Sequence, residues 1–412
     1  MEGHVEEEWR DVVIFRTVLA ILGNGHPTND IDPADGLPPN PMLSSLLLVP
    51  VVFVFAGQTD AQNLSDSLTQ NVKARLAEGS TQSWEIGTRA QALLTHSNSR
   101  YSVYYTGDDL SAANNDSSRD GTFLPPPSND ANSDSGDLST VLEIASSVVG
   151  NRSRTNGDIS GPQPFMKDGS AADPASIGVA VLLANWTNAP SPQNTSTSYS
   201  QAAQDQLDYL LTSVPRSSEG AISHRVAQVQ LWSDFVYMVP PFLAYYGVTT
   251  GNTTLIDEAY NQISLYRDQL RDGDADGLWK HILLGTGTGA GAPPNDEGHW
   301  STGNAWAASG MLRVLSTMQH SPYASSYQHQ MGDLQSWVFE IQSAMFGRLL
   351  ELGLRDPLDG WYQSVNERTG DKLGCWPGQV DWELIDWFHW FWLLELELET
   401  EMEQELELEL DE

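Results

Sequence analysis

Cysteine is almost absent from this chain. Cys375 is the only one among 412 residues, which excludes a disulfide framework, a Cys-ligated zinc site and an iron–sulfur centre. Basic residues are scarce too: 20 Lys and Arg stand against 55 Asp and Glu, a formal net charge of −35. Nucleic-acid binding needs clustered Lys and Arg to meet phosphates, so that role is excluded, and anionic membrane surfaces are disfavoured for the same reason. Neither H-E-x-x-H nor G-x-S-x-G occurs, and the nine His are scattered, which leaves no zinc-protease helix and no nucleophile elbow. What the chain does have is an apolar share of 40% with 14 Trp, 13 Tyr and 11 Phe. That content can bury a core the size of one large domain or two ordinary ones.

Much of the charge sits at the ends. Residues 1–41 hold eight acids and two bases, and residues 395–412 hold ten acids and no base, so 42–394 carries only −19 of the total. Met42 opens MLSSLLLVPVVFVFAGQTDAQ, whose apolar run from Leu46 to Ala56 has the length of a signal-peptide h-region and is too short to span a bilayer. Small residues follow at Ala56 and Ala61, where a peptidase would cut. The reading is therefore a gene-model extension over 1–41, a signal peptide over 42–61, a catalytic domain over 62–348, and a divergent Trp-rich segment with an acidic low-complexity tail over 349–412. A secreted, extracellular protein is expected, and after signal removal no membrane association. Six N-x-Ser/Thr sequons, at Asn63, Asn115, Asn151, Asn185, Asn194 and Asn252, are compatible with that compartment.

Between the ends the texture is helical. Apolar residues recur at helical spacing in 64–79 and 83–96, and further helices are read at 138–150, 173–186, 198–213, 225–247, 254–271, 302–319 and 325–348. Residues 105–137 are rich in Asp, Ser, Asn and Pro and read as a long loop. Strand patterning is scarce, and no repeat of fixed period is visible. An all-α domain of helical hairpins follows.

The chemistry concentrates in 215–306. Asp234 lies among Leu231, Trp232, Phe235, Val236, Tyr237 and Met238, in a helix that is apolar nearly all round and hence buried. A buried carboxylate is costly unless it is paired or carries a proton through a raised pKa. Residue types alone leave both readings open: a structural Asp at a helix end, or an acid. Pro240–Pro241 must break or kink the helix just after Met238. Downstream, Trp279, His281, His299, Trp300, Asn304 and Trp306 fall in Gly-punctuated segments. Sugar rings stack on indoles and their hydroxyls need Asn, His and Asp partners, although for any single Trp here a plain core is the better reading.

The segments LWSDFVYMVPPFLAYYG, GLWKHI and HWSTGNAWAASGMLRVL together resemble the fungal branch of the glycoside hydrolase family 105/88 group, the six-hairpin glycosidases that act as unsaturated rhamnogalacturonyl or glucuronyl hydrolases. The resemblance covers roughly 62–348 and rests on W-x-D-x-x-Y-M-x-x-P followed by W-x-x-G-N-x-W. It implies an (α/α)6 barrel, here incomplete at its C-terminal end because the closing helices are not recognisable after Arg348. It also implies that Asp234 is the general acid and that Asp173, before an inner helix, is the second catalytic acid; a helix cap is the plainer reading of Asp173. By the same resemblance His224, Trp232, Trp279, His281, Trp300, Asn304 and Trp306 are substrate-binding. Many relatives carry Arg where this chain has Thr302. The implied substrate is an oligosaccharide of pectin type ending in a 4,5-unsaturated uronic acid, handled by a cofactor-free, metal-free monomer. Two other readings remain: a different (α/α)6 glycosidase acting on saturated sugars through two carboxylates, and a non-catalytic carbohydrate-binding or decayed relative.

Two local patterns are set aside. GTGTGAGAPP, residues 285–294, contains Gly-x-Gly but runs into Pro-Pro rather than a helix start. Asp272-Gly-Asp-Ala-Asp-Gly277 copies half of a calcium loop, but Leu283 occupies the position of the bidentate Glu, so a polar turn is the preferred reading.

Overall fold

The computed structural model describes residues 66–97, 101–104, 124, 137–157, 160–288 and 293–351. The chain divides into two compact units, Met1–Arg75 with Ile385–Glu412, and Leu76–Leu384. Of the first, only 66–75 are described, the opening turns of helix α1 (Asp66–Gly79). The extension, the signal segment, most of the 105–137 loop, the C-terminal tail, and the sequons at Asn63 and Asn115 lie outside the described residues.

The second unit is built of helices. After α2 (Ser83–Ser97) and α3 (Asp137–Asn156) come α4 (Gly178–Trp186), α5 (Tyr199–Asp208), α6 (Phe235–Met238), α7 (Pro240–Thr250), α8 (Thr253–Leu270), α9 (Ser301–Gln319) and α10 (Gln328–Glu351). They sort into two classes. All of α9 from Ser301 to Met318 is buried, and so are α4 from Gly178 to Ala184 and α7 from Pro240 to Val248. Helices without a polar face belong inside. By contrast α8 buries Leu255, Ile256, Ala259, Ile263, Tyr266 and Leu270, a three-and-four spacing that gives it one apolar stripe. Helix α7 packs on both α4 and α9, while α8 packs on α7 and α10 packs on α9. The result is inner helices each backed by a chain neighbour, with α7 and α8 joined through Gly251 and Asn252 as a tight helical hairpin. Gly251 makes that turn at φ 70°, a conformation that a side chain disfavours.

This is the all-α helical-hairpin architecture expected from the periodicity. Among the described residues no closed ring of six hairpins is traced. Among them, too, no helix is long and apolar enough to cross a membrane.

The structure corrects the sequence reading between residues 225 and 247. One continuous helix was expected there. Instead, residues 225–230 are irregular, Leu231–Trp232 forms strand β1, α6 is a single turn, and α7 begins at Pro240. The two prolines interrupt the helix where expected. Two further strands were not foreseen: β2 (Ile282–Thr286) and β3 (Pro294–Asp296) make an antiparallel three-stranded sheet in the order β1-β2-β3. Its register pairs Trp232 with Ile282 and Ile282 with Asp296. The set-aside Gly-rich segment lies within this β2–β3 excursion. The Asp272 turn is a 3-10 turn in which Asp272 Oδ1 accepts the Asp274 amide at 3.0 Å.

Candidate active site

The small sheet and the inner helix ends converge on Asp234. Strand β1 ends at Trp232, and the amide of the next residue, Ser233, donates to the His281 carbonyl at 3.0 Å. Asp234 follows as the first residue before α6 and makes no capping hydrogen bond to it. Glycines press α9 against this turn: a side-chain carbon at Gly303 would collide with the Ser233 hydroxyl, and one at Gly310 with the Val236 carbonyl. Only backbone without side chains can approach so closely.

Asp234 is 8% exposed. Its Oδ2 has no hydrogen-bond partner and stands 3.8 Å from Nε2 of His281, which has none either. Burial raises the Asp234 carboxyl above its ordinary range, while His281 pulls it back. The structural-cap alternative for Asp234 is therefore not what the geometry shows. On its other ring nitrogen, His281 Nδ1 lies 3.0 Å from Asp296 Oδ2. That hydrogen bond is the main cause holding Asp296 below the usual carboxylate range.

Aromatic rings wall the pair. Trp232 meets His281 edge-on at 5.3 Å between centroids, and Trp300 tilts against it at 4.5 Å. Trp232 also carries His224, stacked on its ring at 4.8 Å. His224 Nε2 in turn lies 3.5 Å from Asp173 Oδ1 and 3.3 Å from the Ser170 hydroxyl. Burial pushes the Asp173 carboxyl up to about 7, with repulsion from Asp168 and Asp234 adding to it. Burial likewise holds the His224 imidazole well below its ordinary value, aided by Arg225 and His281. Desolvation thus favours the neutral form on both partners. Asp173 is not the cap of its own turn: the Ser170 hydroxyl accepts the Ala172 and Asp173 amides, which leaves the carboxyl turned to His224.

Six of the residues picked from sequence are thereby brought together: Asp173, His224, Trp232, Asp234, His281 and Trp300. Three stand apart from the open face. The Trp279 indole is fully buried. The Asn304 amide is satisfied by backbone, accepting from the Trp279 amide at 2.7 Å and donating to the carbonyls of Trp279 and Trp300 at 2.9 and 3.0 Å. It ties the segment before β2 to the first turn of α9. Trp306 is 4% exposed and packs its ring on Tyr237 and Trp84. His299 turns outward to Asp272 at 3.2 Å, and Thr302 is buried in the first turn of α9.

Sequence reasoning missed Arg225, Asp296, Asp168 and Ser170. The Arg225 guanidinium sits 5.6 Å above the Trp232 ring, and a bridge between Ser170 and Arg225 holds the Asp173 segment beside His224. Adjacency to His224 was the available signal for Arg225. Nothing local marked Asp296, because the β2–β3 pairing places it. Among the described residues no group of three or more His, Cys, Asp or Glu is arranged to hold a metal ion.

Residues 167–354 match the sequence profile of Glycosyl Hydrolase Family 88. A stretch of 119 residues, 27% of this chain and 30% of the relative, is 28% identical to an unsaturated 3S-rhamnoglycuronyl hydrolase of Formosa agariphila. Similar solved structures include a family 105 glycoside hydrolase of C. acetobutylicum, at 17% identity and a TM-score of 0.38 over 51% of this chain and 54% of that one. A possible family 105 member from Klebsiella pneumoniae matches at 15% identity and 0.37, over 54% and 58%. The chain spans under a third of the curated relative and a little over half of these structures. Every member of the Asp234 cluster falls inside the segment that matches the Glycosyl Hydrolase Family 88 profile.

Proposed function

We propose that this chain is a glycoside hydrolase that removes a 4,5-unsaturated uronic acid from the non-reducing end of an oligosaccharide by hydrating its vinyl ether. The observation that carries the reading is Asp234 Oδ2, buried and without a hydrogen-bond partner opposite an equally unpartnered His281 Nε2, between indole walls suited to a sugar ring.

Burial raises the Asp234 carboxyl above its ordinary range, the direction that a proton donor needs for the first step. Asp234 protonates C4, and the double-bond electrons form that C–H bond while the ring oxygen stabilises the cation left at C5. Water adds at C5 and returns a proton to the Asp234 carboxylate. The resulting hemiketal opens to a keto acid, and the hemiacetal left at C1 expels the shortened saccharide. Water is consumed and the acid is regenerated, so no cofactor is required. Asp173, His224 and Trp232 would hold the sugar hydroxyls and face. Secretion, a pectin-type substrate and a monomeric state complete the proposal.

A second reading has one observation in its favour. Asp173 and Asp234 are close enough for Asp234 to raise the Asp173 carboxyl, and two neighbouring carboxyls are what a two-carboxylate glycosidase uses. Incubating the full chain with a lyase-generated unsaturated disaccharide and with its saturated counterpart decides between them. Loss of the ultraviolet absorbance of the conjugated double bond, abolished by Asp234→Asn, is expected. Turnover of the saturated sugar alone would replace the proposal with the two-carboxylate enzyme. Binding of either sugar by folded protein without turnover would make the chain a carbohydrate-binding relative.

A further inference from the structure

The β2–β3 pairing returns the chain to His281 fifteen residues after it leaves. The register that sets Asp296 opposite Ile282 puts the Asp296 carboxylate beside the neighbouring imidazole, with Oδ2 3.0 Å from Nδ1. The carboxylate is itself oriented, because Oδ1 accepts the Gly298 amide at 3.1 Å. The Gly298 carbonyl in turn accepts the His281 amide at 3.0 Å. Both ends of the contact are therefore fixed by backbone.

We infer that Asp296 is a positioning residue: its carboxylate fixes His281 in the Nδ1–H tautomer and directs the Nε2 lone pair at Asp234. A neutral imidazole whose Nδ1–H donates to a carboxylate has an acceptor, not a donor, at Nε2. The tautomer matters because an N–H at Nε2 would stabilise the ionised Asp234 and draw off the proton it must deliver. With a lone pair there, His281 is left able to accept a hydrogen bond from a substrate hydroxyl placed between it and Asp234. No net proton leaves the Asp296–His281 pair in this arrangement; the proton delivered to C4 is that of Asp234, and the added water restores it.

The role in turnover rests on the vinyl-ether reading, but the tautomer does not, so the test has two arms on the full chain. In the first, nitrogen NMR of neutral His281, assigned by its loss in His281→Gln, should show Nε2 unprotonated in the wild type. In Asp296→Asn the two tautomers should mix. In the second arm, Asp296→Asn should lose kcat by about 100-fold, the lower end of what positioned acid–base groups contribute, with KM nearly unchanged and partial recovery in Asp296→Glu. Asp296 is about one-third exposed, so the near-isosteric variant retains the fold, checked by circular dichroism. An unchanged tautomer or an unchanged kcat in Asp296→Asn overturns the assignment. If the wild type turns over no unsaturated sugar, the functional proposal falls, while the NMR arm still decides the position of the proton.

Discussion

Asp234 Oδ2 and His281 Nε2 face each other across 3.8 Å, and neither makes a hydrogen bond. An unsatisfied buried polar pair costs free energy in the folded state, and such costs persist where the groups are needed by a ligand or a reaction.

Asp234→Asn separates cost from use. The amide is neutral, so it escapes the desolvation that raises the carboxyl, and it can donate toward His281 Nε2. We expect Tm at neutral pH to hold or rise while kcat falls by at least about 100-fold, the range of a lost general acid. A parallel fall in both would identify Asp234 as a structural residue.

Asp173 gives a pH signature. Its folded value of about 7 exceeds the ordinary 3.8, so the folded state binds the proton more tightly than the unfolded state does. The associated stability is fully present below about pH 4 and is lost as pH rises toward 7, at up to roughly 1.4 kcal/mol per unit. Asp173→Asn should therefore flatten the stability profile between pH 4 and 7. Urea midpoints at pH 4.5 and 7.5, compared between variant and wild type, check this. Equal differences at both values would show that Asp173 titrates normally.

The aromatic residues divide by placement. Trp279→Ala empties a fully buried site and should cost about 3–5 kcal/mol, and Asn304→Ala should cost roughly 1–3 kcal/mol by stranding buried backbone groups. Trp300→Ala, at the half-buried wall beside His281, should leave stability within about 1 kcal/mol of wild type and raise KM several-fold. Thermal melts and saturation kinetics on the three variants distinguish scaffold from wall.

How far the sequence revealed these placements depended on the range of the interaction. Helix α7 was legible as an inner helix because Pro240 to Val248 present no polar face; α9 was legible only as a helix, since Thr302, Asn304, Ser309, Arg313 and Thr317 are buried along it. Asp234 was legible because a lone carboxylate in that setting has few explanations. The strands were not: β1 is two residues long, and it is held by pairing with residues some fifty positions away, which no local propensity records. The same non-locality hid Asp296. Trp279 and Trp300 have the same side chain in adjoining motifs, and only the packing of α9 decides that one is sealed and the other lines the cluster.

Among the described residues, a buried ion pair lies outside the cluster. Arg152 Nη1 meets Asp205 Oδ2 at 2.8 Å, with both side chains under 10% exposed, and Arg152 also donates to the carbonyls of Pro164 and Gln163 at 3.1 and 2.9 Å. These bonds pin the loop after α3 to α5. Burial lowers the guanidinium below its ordinary value despite the partner, the mark of a charge whose desolvation is not fully offset. Removing one member should therefore be far worse than removing both. Asp205→Asn should cost about 3–5 kcal/mol, and Arg152→Met with Asp205→Leu less than half of that. Activity per folded molecule should be unchanged in both, because neither residue touches the Asp234 cluster. Denaturant midpoints on the two proteins check the ordering, and an equal loss in both would show that the carbonyl contacts of Arg152, rather than its charge partner, hold the loop.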